Sequence, residues 1–169
     1  LPSIIDCDQT AYVKNRFIGE SIRLISDVLD STKKQKIEGF LLTVDLEKAF
    51  DSVNHNFLTA CLKKMNFDQE FVKWVRVLLN KQESCVLNGG KSTGYFPLQR
   101  GVRQGDPISA YLFIIVIEIF FIMVRKNPRI NGIEIFGIKH LLTSYADDTS
   151  FFVKNESSVI EIFNCFDLF

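Results

Sequence analysis

The sequence is poor in the residues that build metal centres and covalent frameworks. Its four cysteines, at positions 7, 61, 85 and 165, stand more than 20 residues apart, form no CxxC pair and have only His55 and His140 as companions. Structural zinc sites take their ligands in closely spaced pairs, so none is expected, and such wide spacing suits separately buried thiols better than a disulfide framework. That usage points to an intracellular protein. Nine glycines and four prolines are too few for a collagen-like or low-complexity chain. A charge of one sign is missing too: twenty Lys and Arg balance twenty Asp and Glu. No global field therefore attracts a polyanion, although a local basic face would still serve. The N-terminal stretch Leu1 to Thr10 carries Asp6 and Asp8, has no initiator Met and lacks the basic-then-apolar order of a signal peptide. It reads as the start of an excised segment.

What the sequence does have is apolar mass: 47% hydrophobic residues and sixteen Phe in 169 residues, enough to bury the core of one domain and to exclude intrinsic disorder. The longest apolar stretch, Ile108 to Val124, contains one charge, Glu118. At seventeen residues it falls short of the roughly 20 a bilayer core requires, and Glu118 would sit near its centre. A helix apolar all round and buried inside a globular domain is the expectation, with no membrane partner.

Along the chain, Asn15 to Leu29 has helical spacing, with Asp30 to Glu38 expected as its exit and loop, and Phe40 to Val44 reads as a short buried strand. Asn54 and Asp68 are placed to cap two helices, the first ending near Met65 and the second near Asn80. Alternation from Ser84 to Leu87, the Gly89-Gly90 turn and Tyr95 to Leu98 suggest a hairpin. Asp106-Pro107 opens the buried helix, Asp as cap and Pro at the first position, where its missing N–H costs nothing. Strands are expected at Gly132 to Phe136, Lys139 to Ser144 and Thr149 to Val153, with Ala146-Asp147-Asp148 as a turn, and a last helix from Ser157 to Phe169.

Three carboxylates stand out by position. Asp45 follows the first strand, and Asp147 and Asp148 occupy a tight turn between two apolar strands. Brought together, they would repel one another unless hard cations neutralised them, and such clusters hold Mg²⁺ pairs for phosphoryl transfer. Singly, each is also ordinary turn or cap chemistry. Between Ser84 and Gly105 lie Lys91, Arg100 and Arg103 with no acid, a local positive patch that could follow a phosphate backbone or be a solvated loop.

The combination decides. In order come Phe40-Leu41-Leu42-Thr43-Val44-Asp45-Leu46-Glu47-Lys48-Ala49-Phe50-Asp51, then Gly101-Val102-Arg103-Gln104-Gly105-Asp106-Pro107, then Tyr145-Ala146-Asp147-Asp148. These blocks resemble motifs A, B and C of the reverse transcriptase family, in particular the non-LTR, LINE-type retrotransposon enzymes and their group II intron relatives. The resemblance implies an α/β (α+β) palm of a right-hand polymerase: a ferredoxin-like antiparallel sheet with packed helices, residues 39–169, preceded by a partial fingers segment, 1–38. It implies an RNA-directed DNA polymerase using an RNA template, a DNA primer and deoxynucleoside triphosphates, with two Mg²⁺ ions for which Mn²⁺ can substitute. Asp45, Asp147 and Asp148, with the Leu46 carbonyl, would be the metal ligands. Phe50 matches the steric gate under the nucleotide sugar, its alternative being a core Phe. Gln104 and Gly105 match the part of motif B near nucleotide and template. Gln9-Thr10-Ala11-Tyr12-Val13-Lys14-Asn15-Arg16 resembles a fingers segment whose arginine, here Arg16, approaches the triphosphate.

Ile108 and Ala110 depart from the Leu and Pro common in the LINE version of motif B. The likeness stops at Phe169, ahead of motif D and the thumb, so the isolated segment is expected to be inactive. By resemblance the parent protein would work in nucleus and cytoplasm as a ribonucleoprotein. The rival readings are an RNA-dependent RNA polymerase, against which Phe50 argues, and a degenerate palm kept as a nucleic-acid-binding module, against which the intact acids argue.

Overall fold

Six helices and nine strands succeed one another over the 169 residues, all of which the computed structural model describes. In order they are α1 (Ile18–Gln35), β1 (Phe40–Val44), α2 (Ala49–Ser52), α3 (His55–Lys64), α4 (Gln69–Leu79), β2 (Glu83–Ser84), β3 (Leu87–Asn88), β4 (Lys91–Ser92) and β5 (Phe96–Pro97). Then come α5 (Pro107–Lys126), β6 (Ile133–Ile135), β7 (Ile138–His140), β8 (Leu142–Tyr145), β9 (Asp148–Val153) and α6 (Glu156–Leu168). Two compact units result, Leu1–Glu47 with Ile117–Phe169, and Lys48–Val116. The N-terminal segment is hydrogen-bonded to the sheet of the first unit through Ser144.

In that first unit an antiparallel sheet runs in the order β1-β9-β8. Successive side chains of a strand point to opposite faces, and β9 is covered on both along its second half, where Phe151, Phe152 and Val153 are all buried. Phe151 meets the ring of Phe120 on α5 edge-on at 6.2 Å, and Phe166 of α6 stacks on Phe120 at 4.2 Å. Its neighbour Phe152 packs on the other face with Val28 of α1 and with Ile133 and Ile135 of β6. Burying a Phe fully is worth about 1.5–3 kcal/mol, so this pair of opposed rings anchors the sheet from both sides. Beyond β8, Gln9 forms a parallel bridge to Ser144, making the N-terminal segment a fourth, one-residue strand.

Two boundaries differ from expectation. Helix α1 continues through the polar run to Gln35 and closes in a Schellman arrangement: Lys36 is left-handed (φ 54°), the Ile37 N–H reaches the Thr32 carbonyl and the Lys36 N–H that of Lys33. With no glycine to mark that end, and with good helix formers in the run, local pattern misplaces it. The single strand expected over residues 139–144 is two, β7 pairing with β6 and β8 with β9, because the chain changes partner at Leu141.

The second unit is built on the two capped helices foreseen. Asn54 Oδ1 accepts from the Asn56 and Phe57 N–H groups at 2.9 and 3.0 Å, and Asp68 Oδ1 from those of Glu70 and Phe71 at 2.8 and 3.4 Å. Their apolar faces bury Leu58, Leu62, Val72, Val75 and Leu79. Two short ladders, β2–β5 and β3–β4, form the hairpin arm. Gly101 has φ +95°, and a Cβ there would lie 2.9 Å from the Asp51 carbonyl oxygen, so only glycine fits. Its N–H donates to the Val53 carbonyl, Val102 N–H to that of Phe50, and its own carbonyl lies 2.7 Å from His55 Nε2.

Helix α5 is long and apolar enough to cross a membrane, and 61% of its most apolar window is buried inside the protein, as expected of a core helix.

Candidate active site

The carboxylates singled out in the sequence all fall in the first unit, at one end of its sheet. The pairing of β1 with β9 ends with Val44 opposite Thr149. One residue further along both antiparallel strands are Asp45 and Asp148, so the register carries these two to the same level on neighbouring strands. On its other side Asp148 pairs with Tyr145, and the two-residue loop of that hairpin is Ala146-Asp147. The sheet thus brings Asp45 to a turn 102 residues away in sequence.

The turn is tightly specified. Ala146 has φ +57° and is the one residue of this two-residue loop with a positive φ, a conformation that normally prefers glycine. Buried hydrogen bonds over-determine it: Ser144 Oγ donates to the Ala146 carbonyl at 3.0 Å, and Thr149 Oγ1 lies 3.0 Å from Ser144 Oγ. The Gln9 side chain, fully buried, binds both the N–H and the carbonyl of Ala146.

Asp45 and Asp148 are exposed and Asp147 half-buried. Their oxygens are not drawn into one cluster within 4.8 Å, as self-repulsion among three like charges favours. No Lys or Arg forms an ion pair with any of them. An all-oxygen donor set, accessible and uncompensated by basic side chains, fits a hard divalent cation.

A second acidic group behaves otherwise. Asp6, Cys7 and Asp8 present ligand-type atoms within 4.8 Å of one another, but Arg125 occupies the spot, 3.9 Å from Asp6 and 3.1 Å from Asp8 and ion-paired with buried Glu118. Burial raises the Glu118 carboxyl to about 7 although Arg125 pulls the other way, and its Oε2 has no hydrogen-bond partner. Burial likewise raises Asp8, helped by Asp6 and opposed by Arg125. This network ties the N-terminal segment to α5.

Of the other expected site residues, Leu46 directly follows Asp45 and is half-buried. The Arg16 guanidinium donates to the carbonyls of Gln9 at 2.8 Å and Ile5 at 3.1 Å, and to that of Asp6, so in this conformation it fastens a loop. Phe50, Gln104 and Gly105 belong to the second unit. The Phe50 ring stacks on Phe113 and is half-buried. Gln104 and Gly105 are exposed, and at Gly105 a Cβ would meet nothing within 4 Å; its glycine answers to φ +91° alone, and the crowded position in this loop is Gly101. A cleft of about 680 Å³ in the same unit is lined by Lys48, Arg100 and Arg103 together with one acid, Asp51, so it gathers part of the basic patch with a net positive lining. Gln9 is the positioned residue that the sequence does not single out: it lies in the fingers-like block, but nothing about a lone glutamine announces a partner 137 residues away.

An antiparallel sheet with acids at a strand end and in the adjacent hairpin, helices packed on its faces, is the palm of a right-hand polymerase. The profile of the family described as "Reverse transcriptase (RNA-dependent DNA polymerase)" matches residues 3–168, and this chain belongs to that family. It is 33% identical over 150 residues to the "Transposon TX1 uncharacterized 149 kDa protein" of Xenopus laevis, covering 88% of this chain and 11% of that protein. To a "Retrovirus-related Pol polyprotein from type-1 retrotransposable element R2" of Popillia japonica it is 27% identical, over 79% of this chain and 19% of the other. These relatives agree with the LINE-type likeness of the motifs. The chain thus spans less than a fifth of the length of these curated relatives. In fold it is similar to apo telomerase of Candida tropicalis truncated from the C-terminal domain, with a TM-score of 0.57, 14% identity, and 95% of this chain and 32% of that one covered.

Proposed function

We propose that this chain is the palm of an RNA-directed DNA polymerase that copies the RNA of a LINE-type retroelement, with a DNA primer, an RNA template and deoxynucleoside triphosphates as its partners and substrates. The observation that carries the reading is the register that sets Asp45 beside Asp148 with Asp147 in the adjoining turn. In the reaction the primer 3′-hydroxyl oxygen attacks the α-phosphorus of the incoming nucleotide, a new O–P bond forms, and pyrophosphate leaves with the electrons of the broken bond. The proton of the hydroxyl passes to solvent or base.

Asp45 and Asp147, with the Leu46 carbonyl and Asp148 beside them, would hold two divalent cations, Mg²⁺ or in its place Mn²⁺. Such ions lower the pKa of the attacking hydroxyl and neutralise charge on the leaving group. The protein's own work is to supply anionic oxygens at fixed positions on a rigid sheet, needing no side-chain nucleophile. Phe50 would exclude a ribose 2′-hydroxyl, Gln104 and Gly105 would lie along nucleotide and template, and the Lys48, Arg100 and Arg103 cleft would take backbone phosphates. Arg16 would reach a triphosphate after leaving the loop carbonyls that it now holds. By the same family reasoning, work in nucleus and cytoplasm as a ribonucleoprotein belongs to this proposal.

The test is extension of a DNA primer on an RNA template by the longest polypeptide carrying this sequence, compared with its Asp147→Asn form. Deoxynucleotide incorporation by the parent and none by the variant is the expected pair of results; ribonucleotide incorporation in its place would favour an RNA polymerase, and equal activity of both would overturn the assignment.

A further inference from the structure

Gln9 is 0% exposed, yet all four of its side-chain hydrogen-bonding positions are filled. Its Oε1 accepts from the N–H of Ala11 and from the N–H of Ala146, both at 2.9 Å. Its Nε2 donates to the Ala146 carbonyl at 3.1 Å and to Ser144 Oγ at 3.3 Å. Two N–H groups facing one oxygen fix which way the amide points. The main chain on either side is also engaged: Ser144 N–H donates to the Asp8 carbonyl at 2.8 Å and Thr10 N–H to the Ser144 carbonyl at 2.9 Å.

Both polar atoms of one residue, Ala146, are therefore gripped by one side chain. Ala146 is also the residue forced to φ +57°, a conformation an alanine adopts at a cost and keeps only when its surroundings impose it. Asp147 follows directly, and the direction of its Cα–Cβ bond depends on the peptide that Gln9 holds. We propose that Gln9 is a positioning residue of the polymerase centre: its buried amide clamps Ala146 in the left-handed conformation and so sets where the Asp147 and Asp148 carboxylates stand. The proposal rests on the reading of those carboxylates as cation ligands. Methionine at position 9 would fill the same space but could neither accept from the two N–H groups nor donate to the carbonyl.

Mn²⁺ alone, titrated into the chain and followed by electron paramagnetic resonance, separates the possibilities. Asp147→Asn should weaken Mn²⁺ binding at least tenfold, and if it leaves binding unchanged the carboxylate reading itself fails. Gln9→Met should weaken it by a similar factor. Val28→Ala, in the apolar cluster on the other face of β9, gives a control of comparable thermal loss and should leave Mn²⁺ affinity within twofold. Glycine at 146 takes a positive φ without help, so Ala146→Gly combined with Gln9→Met should recover threefold or more of the lost affinity. If Asp147→Asn weakens binding while Gln9→Met does not, or if Val28→Ala weakens it as much as Gln9→Met, the positioning role is overturned and the carboxylate reading survives. Should Gln9→Met fail to fold, amide exchange in the parent chain decides: the Ala146 N–H should exchange at least a hundredfold more slowly than its unprotected rate, and unprotected exchange would overturn the clamp.

Discussion

The ring of Phe50 lies almost parallel to that of Phe113, centroids 4.8 Å apart and planes at 18°. One half-buried ring thus has a packing partner on the first half of α5 and an exposed side, and both proposed roles can be weighed in one experiment. Phe50→Val should cost stability, on the order of 1–4 kcal/mol for a large-to-small change. If the ring is also the sugar gate, the ratio of kcat/KM for deoxy over ribo substrates should fall as well, since a clash discriminates by size. Phe50→Tyr keeps the ring and should keep the ratio. A ratio unmoved by Phe50→Val would leave Phe50 with packing alone.

Asp45→Asn and Asp147→Asn should each lower primer extension by about 10²–10³ or more, the scale for losing one electrostatic stabiliser of a transition state. Neither should unfold the sheet, since both groups are at least partly exposed and unpaired. Removing one of the three like-charged acids at this end of the sheet should if anything raise the melting temperature in metal-free buffer and abolish any further rise on adding Mg²⁺. Near-normal extension by either variant would sink the assignment.

Glu118 makes stability depend on pH in a window its own values define. Buried in α5, it is raised from 4.5 to about 7, so between those values the folded chain keeps a proton that the unfolded chain has lost. Stability from this group is complete below about 4.5 and is lost as pH rises through 7, with a slope of at most about 1.4 kcal/mol per unit. Glu118→Gln stays neutral and should flatten that decline. Urea midpoints at pH 5, 6, 7 and 8 for both forms would give parallel lines if Glu118 does not titrate there.

Gly101→Ala should be costly for two separate reasons: φ is +95°, and the new methyl would lie 2.9 Å from the Asp51 carbonyl oxygen and 3.0 Å from its Cα. Backbone strain and overpacking together predict a loss of roughly 2–4 kcal/mol. Gly105→Ala meets open space and carries only the positive φ, so it should cost about 1 kcal/mol. Chemical denaturation of the two variants side by side tests the order, and a larger loss at Gly105 would contradict it.

The sequence by itself determined whatever is settled within a few residues of chain. Asn54 and Asp68 cap their helices because each needs only the N–H groups two and three residues on. The helix from Pro107 is legible because so long an apolar run, short of a bilayer span and carrying Glu118 near its centre, is best accommodated by burial, and the blocks around Asp45, Gly101 and Asp147 place the family from the sequence alone. Tertiary structure alone decided the rest. The polar run after Asp30 could be helix or loop until Ile37 packed against the cluster of Val28 and Phe152, and Leu141 is a strand break only because β7 and β8 have different neighbours. Arg16 carries the charge that suits a triphosphate, yet three carbonyls of its own loop hold it here. Most plainly, Gln9 reads as one polar residue among many, because a hydrogen bond across 137 residues leaves no period, spacing or composition in the chain; it exists only once β8 and the N-terminal segment lie side by side.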